Sequence, residues 1–141
     1  MEEKCPYCSV TNETAEISIG HRAWASFLSI FGYEGSRIKT VRSLRIDCVF
    51  CARRFTLLKF EDYDWVRDRL IWDDTVRVGM IEIYGTSITR DNILSNITGV
   101  ALRNDKTIDI CFKKNQKRAY LSCVRETTGY KGVYMEEIIF G

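Results

Sequence analysis

The chain has 141 residues, of which 45% are hydrophobic and 28% charged, with a formal net charge of +2 at pH 7. This composition is that of a soluble globular protein, and a chain of this length buries one ordinary core, or a small metal-stabilised module beside a second small domain. No stretch approaches the roughly 18 uninterrupted apolar residues of a membrane helix, so we expect no membrane span.

The first four residues lead directly into a cysteine pair, without the apolar core of a signal peptide. We therefore expect an intracellular protein, located in the cytoplasm or in the nucleoid or nucleus. In those compartments metal thiolates persist and disulfides are uncommon, which bears on how the cysteines are interpreted.

Two Cys-x-x-Cys pairs are the most informative feature of the chain: Cys5 with Cys8, and Cys48 with Cys51. Four thiolates in two tight turns are the ligand set of one tetrahedral Zn²⁺. Because they fill every coordination position, the zinc is predicted to be structural, not catalytic. Two disulfides or a thioredoxin-like redox motif are the alternatives, and the absence of a βαβ pattern favours zinc. The long separation of the pairs predicts an insertion between them.

The residues around the second pair resemble those of a zinc ribbon. Residues 44–47 are predicted to form a strand that enters the turn and residues 53–60 a strand that leaves it, with Phe55 placed to cover the metal. The resemblance covers residues 1–60. After the second cysteine of each pair the family often has glycine, whereas this chain has Ser9 and Ala52.

The zinc-ribbon resemblance implies a class of function. Such modules recur in transcription factors, RNA polymerase subunits, ribosomal proteins and replication proteins. By resemblance, the partner is therefore expected to be RNA polymerase or another transcription-associated protein, with DNA or RNA as a further candidate.

The insertion is predicted to contain an amphipathic helix over residues 21–32. Its apolar residues recur at helical spacing, and Gly32 is a plausible stop. This stripe either packs into the core, which we favour, or docks a partner; it consists of Trp24, Phe27, Leu28 and Phe31. The only histidine, His21, is expected at the surface of the helix start, since four cysteines already complete the metal site.

Charge is distributed unevenly along the chain. Residues 36–59 contain seven basic residues and one acidic residue, whereas residues 60–74 contain six acidic residues and two basic ones. The reversal indicates either a nucleic-acid-binding surface beside a repelling one, or two surfaces for different protein partners. An ordinary solvated surface with internal ion pairs remains the alternative.

Residues 61–74 are predicted to form an acidic helix that connects two lobes, with Asp62 as its N-cap. Trp65 and Trp72 fall on nearly the same side of that helix. We expect them to brace the two lobes, and binding in the groove of a partner is the alternative.

From Thr75 onward the apolar pattern changes to a period of two, which predicts an antiparallel β domain over residues 75–141. The predicted strands are residues 75–80, 99–103, 107–112, 118–125 and 133–140, with a helical turn within 89–96. Cys111 and Cys123 fall in adjacent strands and are either close to each other or simply buried; they are too few for a second zinc site. The predicted fold class is α+β.

The hairpin tip at residues 113–118 carries four positive charges and is followed by Tyr120. It either contacts phosphates or serves solubility. Together with the basic residues near the second cysteine pair it forms the candidate surface for nucleic acid or another partner: Arg42, Arg45, Arg53, Arg54, Lys113, Lys114, Lys117 and Arg118.

Motifs typical of enzymes do not occur in the sequence: it has no P-loop, no GxSxG, no HExxH and no GxGxxG after a strand. We therefore expect neither catalysis nor a small-molecule substrate. The predicted function is that of a zinc-binding accessory protein of transcription that binds RNA polymerase, an associated factor or nucleic acid. The alternative is an adaptor or inhibitor of another macromolecular machine that does not contact nucleic acid.

Overall fold

The computed structural model describes residues 2–16, 42–104, 106–126 and 129–139. The predicted helix at residues 21–32, its apolar stripe and His21 lie outside these ranges. The prediction of a mixed α and β protein is confirmed, and strands predominate. In the N-terminal part the strands are β1 (Glu2–Lys4), β2 (Thr11–Glu13), β3 (Ala15–Glu16), β4 (Arg42–Asp47) and β5 (Arg54–Lys59).

The second half begins with helices and ends with four long strands. The helices are α1 (Asp64–Arg69), α2 (Asp74–Tyr84) and α3 (Ile93–Asn96), which follows a 3-10 turn (Arg90–Asn92). The strands are β6 (Leu70–Ile71), β7 (Ile97–Asn104), β8 (Thr107–Lys114), β9 (Lys117–Glu126) and β10 (Gly129–Ile138). No helix in the described ranges is long and apolar enough to cross a membrane.

Most of these strands form one eight-stranded sheet in the order β3-β4-β5-β7-β8-β9-β10-β6, and β1 and β2 pair separately. Strand β5 pairs directly with β7, with Leu57 opposite Ala101. The predicted zinc-ribbon region and the predicted C-terminal β domain therefore share one hydrogen-bonded sheet. The strands beside the second cysteine pair, β4 and β5, consequently belong to the same sheet as the C-terminal hairpins.

The predicted strand at residues 75–80 is wrong, because this segment lies in helix α2. Asp73 caps the helix by accepting a hydrogen bond from the Val76 N–H at 3.3 Å, and Gly85 ends it in a left-handed conformation. The buried residues Val76, Met80 and Tyr84 recur every four positions. Val76 and Met80 also fit an alternating pattern, which explains the error.

The predicted connecting helix at residues 61–74 is shorter than expected. Its helical part, α1, is followed by β6, which pairs in parallel with Tyr130 and Lys131 at the beginning of β10. Asp62 is not the N-cap residue, which is Tyr63, although an Asp62 carboxylate oxygen accepts from the Asp64 N–H at 3.2 Å. Leu70 and Ile71 form β6 instead of continuing the helix, and Leu70 is buried in the hydrophobic core that also contains Trp65, Val76 and Met80.

Trp65, within α1, and Trp72, after β6, pack against the core on one side of the sheet. The Trp65 ring lies 5.0 Å from the Phe60 ring and 5.5 Å from the Tyr130 ring, centroid to centroid. Trp72 is partly buried against the same core. This packing agrees with the predicted bracing role.

Side chains alternate between the two faces of the large sheet. One face, here called the helix face, packs against the helices through residues such as Leu58, Val100, Ile110, Leu121 and Cys123. The other, here called the knuckle face, packs against the cysteine turns through Leu44, Ile46, Phe55, Leu57, Ala101, Cys111 and Tyr120. The sheet thus separates two hydrophobic cores.

The other predicted strands are found in β7, β8, β9 and β10, and the predicted helical turn within 89–96 is confirmed. The suggested approach of Cys111 to Cys123 is wrong. Cys111 lies opposite Tyr120 on the knuckle face, whereas Cys123 lies opposite Ile108 on the helix face. Both thiols are fully buried, so they serve as small core residues.

Candidate metal centre

Each cysteine pair occupies the turn of a β-hairpin, and the two turns have the same backbone hydrogen bonds. In the first, the Cys5 N–H donates to the Val10 carbonyl at 3.0 Å and the Ser9 N–H donates to the Cys5 carbonyl at 2.7 Å. The second, between β4 and β5, repeats this pattern around Cys48, with both distances at 2.9 Å. These two turns, residues 5–10 and 48–53, are called the first and second knuckle below.

The residue after the second cysteine of each knuckle adopts a left-handed backbone conformation. Ser9 has φ of 66° and Ala52 has φ of 60°. Only glycine takes this conformation without a steric cost, which accounts physically for the glycine that zinc ribbons often have at this position. Ser9 and Ala52 therefore add strain that glycine would avoid, while both turns have the same backbone hydrogen bonds.

The four sulfur atoms of Cys5, Cys8, Cys48 and Cys51 all lie within 4.8 Å of one another. The Cys8 and Cys48 sulfurs are 3.5 Å apart, and those of Cys5 and Cys51 are 3.8 Å apart. Zn–S bonds of about 2.3 Å in a tetrahedron separate the sulfurs by about 3.8 Å, whereas a disulfide requires about 2.05 Å. The cluster therefore fits one tetrahedral metal ion and does not fit two disulfides.

Both thiols of the first knuckle have a raised pKa. Burial raises the pKa of the Cys5 thiol well above its ordinary value, although the N–H groups of Cys8 and Tyr7 act in the opposite direction. Burial likewise raises the pKa of the Cys8 thiol, to about 11. A cation beside these sulfurs favours their thiolate forms, so the pair is suited to bind a metal ion and release protons.

The second knuckle supplies a sulfur that the protein already stabilises as thiolate. At Cys48 burial again raises the pKa, but the N–H groups of Cys51 and Phe50 and the Asn12 amide outweigh it and lower the pKa to about 6. Backbone N–H groups thus act on a cysteine sulfur in both knuckles. Four sulfur donors in a tetrahedral arrangement are typical of zinc.

Asn12 joins the two knuckles, and the sequence analysis missed it. Its side-chain amide donates to the Cys48 sulfur at 3.4 Å and to the Val10 carbonyl at 2.9 Å. Its carbonyl oxygen accepts from the Val49 N–H at 3.2 Å. This buried residue in β2 therefore holds the second knuckle against the first hairpin.

The first knuckle is also attached to the knuckle face of the large sheet. The Thr98 hydroxyl donates to the Pro6 carbonyl at 2.7 Å, and Pro6 lies so close to Gly99 that a Cβ there would be 2.8 Å from the proline ring. The ring of Tyr7 packs edge-on against Phe55, with centroids 5.0 Å apart. Phe55 thus lies beside the centre, as predicted.

A buried carboxylate anchors this attachment. The Tyr7 hydroxyl donates to Asp109 at 2.6 Å, and the Ser122 hydroxyl donates to the other oxygen of the same carboxylate at 2.7 Å. Arg103 lies 3.8 Å away as a third partner. Asp109 is only 2% exposed, and the sequence signal for it was a charged residue between the apolar residues Ile108 and Ile110.

The predicted binding residues are not gathered at one place. Arg42 pairs with Glu16, and Arg45 and Arg54 both pair with Asp47. In the hairpin β8–β9, Lys113 lies opposite Arg118 and Lys114 lies opposite Lys117. The first of these pairs belongs to the knuckle face and the second to the helix face, where the Lys117 ammonium donates to the Ile83 carbonyl at 3.0 Å.

Arg53 is the predicted binding residue that lies closest to the metal centre. Its guanidinium lies 4.8 Å from the centroid of the Tyr7 ring and 5.8 Å from that of Tyr120. Burial alone would lower the pKa of Arg53, but the neighbouring Cys51 sulfur outweighs burial and raises it. A positive charge at this point offsets the negative charge of a metal held by four thiolates.

Comparison with protein-family models, with curated proteins and with solved structures found no match to this chain. The likeness to zinc ribbons therefore rests on the cysteine spacing and on the two knuckle hairpins. Among the described residues, the four cysteines are the group that can hold a metal ion.

Proposed function

We propose that this protein is a non-enzymatic zinc-binding accessory protein that acts by binding a macromolecular partner. The observation that carries the proposal is the cluster of four cysteine sulfurs, which can fill all four positions around a tetrahedral ion. A metal enclosed in this way has no position for a substrate or water, so its role is to hold the two knuckles together.

The proposed setting is transcription, with RNA polymerase or an associated factor as partner, alone or together with nucleic acid. The support for this setting is the resemblance to zinc ribbons, whose knuckle hairpins the chain shares. It is an argument from analogy of architecture.

A second candidate is an adaptor or inhibitor of another macromolecular machine that does not contact nucleic acid. The tip of the second knuckle favours it, because Val49 is 86% exposed and Phe50 is 59% exposed. Adjacent exposed apolar side chains on a rigid, metal-supported turn are suited to contact an apolar surface of a protein partner.

Affinity purification from extract of the source cells, with and without nuclease treatment, tests the proposal. Recovery of RNA polymerase or its factors in both preparations supports a direct transcription partner. Recovery of an unrelated machine that resists nuclease supports the adaptor. The matched bait is V49S, which removes one exposed apolar side chain while leaving the cysteines unchanged. Absence of any specific partner in either preparation contradicts the proposed binding role.

A further inference from the structure

A cleft beside the metal centre was not identified by the sequence analysis. It has a volume of about 280 Å³ and lies where the second knuckle meets the knuckle face of the sheet. Its walls include the guanidinium groups of Arg53 and Arg103 and the rings of Tyr7 and Tyr120. Arg54, whose side chain is 79% exposed, lies at its border.

The Asp109 carboxylate, which lines the cleft, is held by neighbouring side chains. Asp109 accepts hydrogen bonds from the Tyr7 and Ser122 hydroxyls and has Arg103 3.8 Å away. Arg103 approaches Asp109 and Ser122 through the same nitrogen, Nη2, and its side chain is 48% exposed. The rest of this guanidinium therefore remains accessible to an anion.

Arg53 lies between the cysteine cluster and the cleft, so its positive charge acts on both. Its guanidinium lies near Cys51 and over the rings of Tyr7 and Tyr120, 4.8 Å and 5.8 Å from their centroids. Packing against rings fixes the orientation of an arginine and leaves its other donors in place for a planar, two-point contact. The pair Arg54 and Asp47 at the border is exposed, with N to O at 3.5 Å, and such pairs are weak.

An exposed aromatic ring continues from the cleft. The ring of Tyr134, which is 50% exposed, lies 6.1 Å from that of Tyr120, centroid to centroid. A row of arginines beside an accessible aromatic ring is the combination that binds the backbone and stacks the bases of single-stranded nucleic acid. An acidic peptide would use the arginines but would leave the ring without a planar partner.

We infer that this cleft binds a phosphate group of single-stranded nucleic acid, with a neighbouring base stacked on Tyr134. The volume lies just below the roughly 300–1,000 Å³ of small-molecule pockets. A cleft of that size admits one phosphate and its sugar, but it does not admit a double helix. This inference deepens the proposed function, on which it rests, by naming the ligand class.

The test is a fluorescence anisotropy titration of the zinc-loaded 141-residue chain with a labelled ten-nucleotide oligothymidylate at low salt. The variant Arg103→Gln should weaken binding roughly ten-fold, as for the loss of one charge-assisted hydrogen bond. It should also reduce the slope of log K against log salt by about 0.7. Tyr134→Ala should weaken binding about five-fold or more through the lost stacking.

Two further variants keep the test informative. Arg54→Gln changes an exposed residue, so it does not threaten folding, and it should reduce the salt slope by a similar amount. The matched control is Arg77→Gln, which removes the same charge from α2 at a side chain that is 51% exposed. Equal losses for Arg77→Gln and for the cleft variants would overturn the inference.

The choice of probe separates the alternatives. A ten-base-pair duplex should bind less tightly than the single strand. Equal or tighter binding of the duplex, or of a ten-residue polyglutamate peptide, would overturn the inference, as would no binding of the oligonucleotide. In the last case a protein partner that resists nuclease in the purification experiment would leave the proposed function standing.

Discussion

Removal of the Tyr7 hydroxyl tests whether the metal centre is attached to the sheet through the buried carboxylate. In Tyr7→Phe the ring still packs against Phe55, and only the 2.6 Å hydrogen bond to Asp109 is lost. A hydrogen bond to a charged group contributes roughly 1.5–3 kcal/mol. Asp109 keeps Ser122 and Arg103 as partners, so we expect a value near the lower end of that range.

The assay is thermal unfolding of the zinc-saturated protein, followed by circular dichroism under reducing conditions. A loss of about 1.5 kcal/mol lowers the Tm by roughly 3–6 °C for a chain of this size. The matched control is Tyr134→Phe, which removes a hydroxyl from a ring that is 50% exposed and should change stability by less than about 0.5 kcal/mol. If Tyr7→Phe unfolds at the same temperature as Tyr134→Phe, the buried anchor makes no net contribution and the reasoning is refuted.

Three further predictions follow from individual positions. Ala52→Gly should stabilise the protein by about 0.5–1 kcal/mol in urea unfolding, since it relieves a left-handed alanine, and a lower midpoint would contradict the strain. Gly99→Ala should destabilise it by roughly 1–3 kcal/mol, because the new Cβ would lie 2.8 Å from Pro6; unchanged stability would show that the first knuckle shifts freely. Stability should fall as pH rises from about 10 to 12, because burial raises the pKa of Tyr84 and Tyr120 to about 12 and an unfolded tyrosine ionises near 10. Urea midpoints that are equal at pH 9 and pH 11 would contradict this last assignment.

The cysteine pattern predicted the cluster of four sulfurs that can hold a metal ion, because each half of the cluster is local. Two cysteines three positions apart make one tight turn, and the chemistry of four thiolates determines what joins the turns. The contacts that support the centre are not local. Asn12 reaches Cys48 across 36 positions, and Tyr7 reaches Asp109 across 102. Which residues become partners at such separations depends on the order of strands in the sheet, which the apolar pattern does not determine.

The prediction of a strand over residues 75–80, which lie in helix α2, is wrong for a different physical reason. Its buried residues recur every four positions, but Val76, Val78 and Met80 also alternate with polar or small residues, so a short window fits either period. The residues at the two ends of the segment distinguish a helix from a strand: Asp73 is an N-cap residue and Gly85 ends the helix.

The measurement that tests the central claim most directly is the zinc content of the purified protein, determined by elemental analysis and by native mass spectrometry. We predict one Zn²⁺ per chain, lost in Cys48→Ser together with the fold of the knuckles, because the binding energy of a structural zinc is largely folding energy. Cys111→Ser, which changes a buried thiol outside the cluster, should retain the ion. Substoichiometric zinc in the unmodified protein, or a Cys48→Ser variant with full zinc content and unchanged thermal stability, would contradict the account.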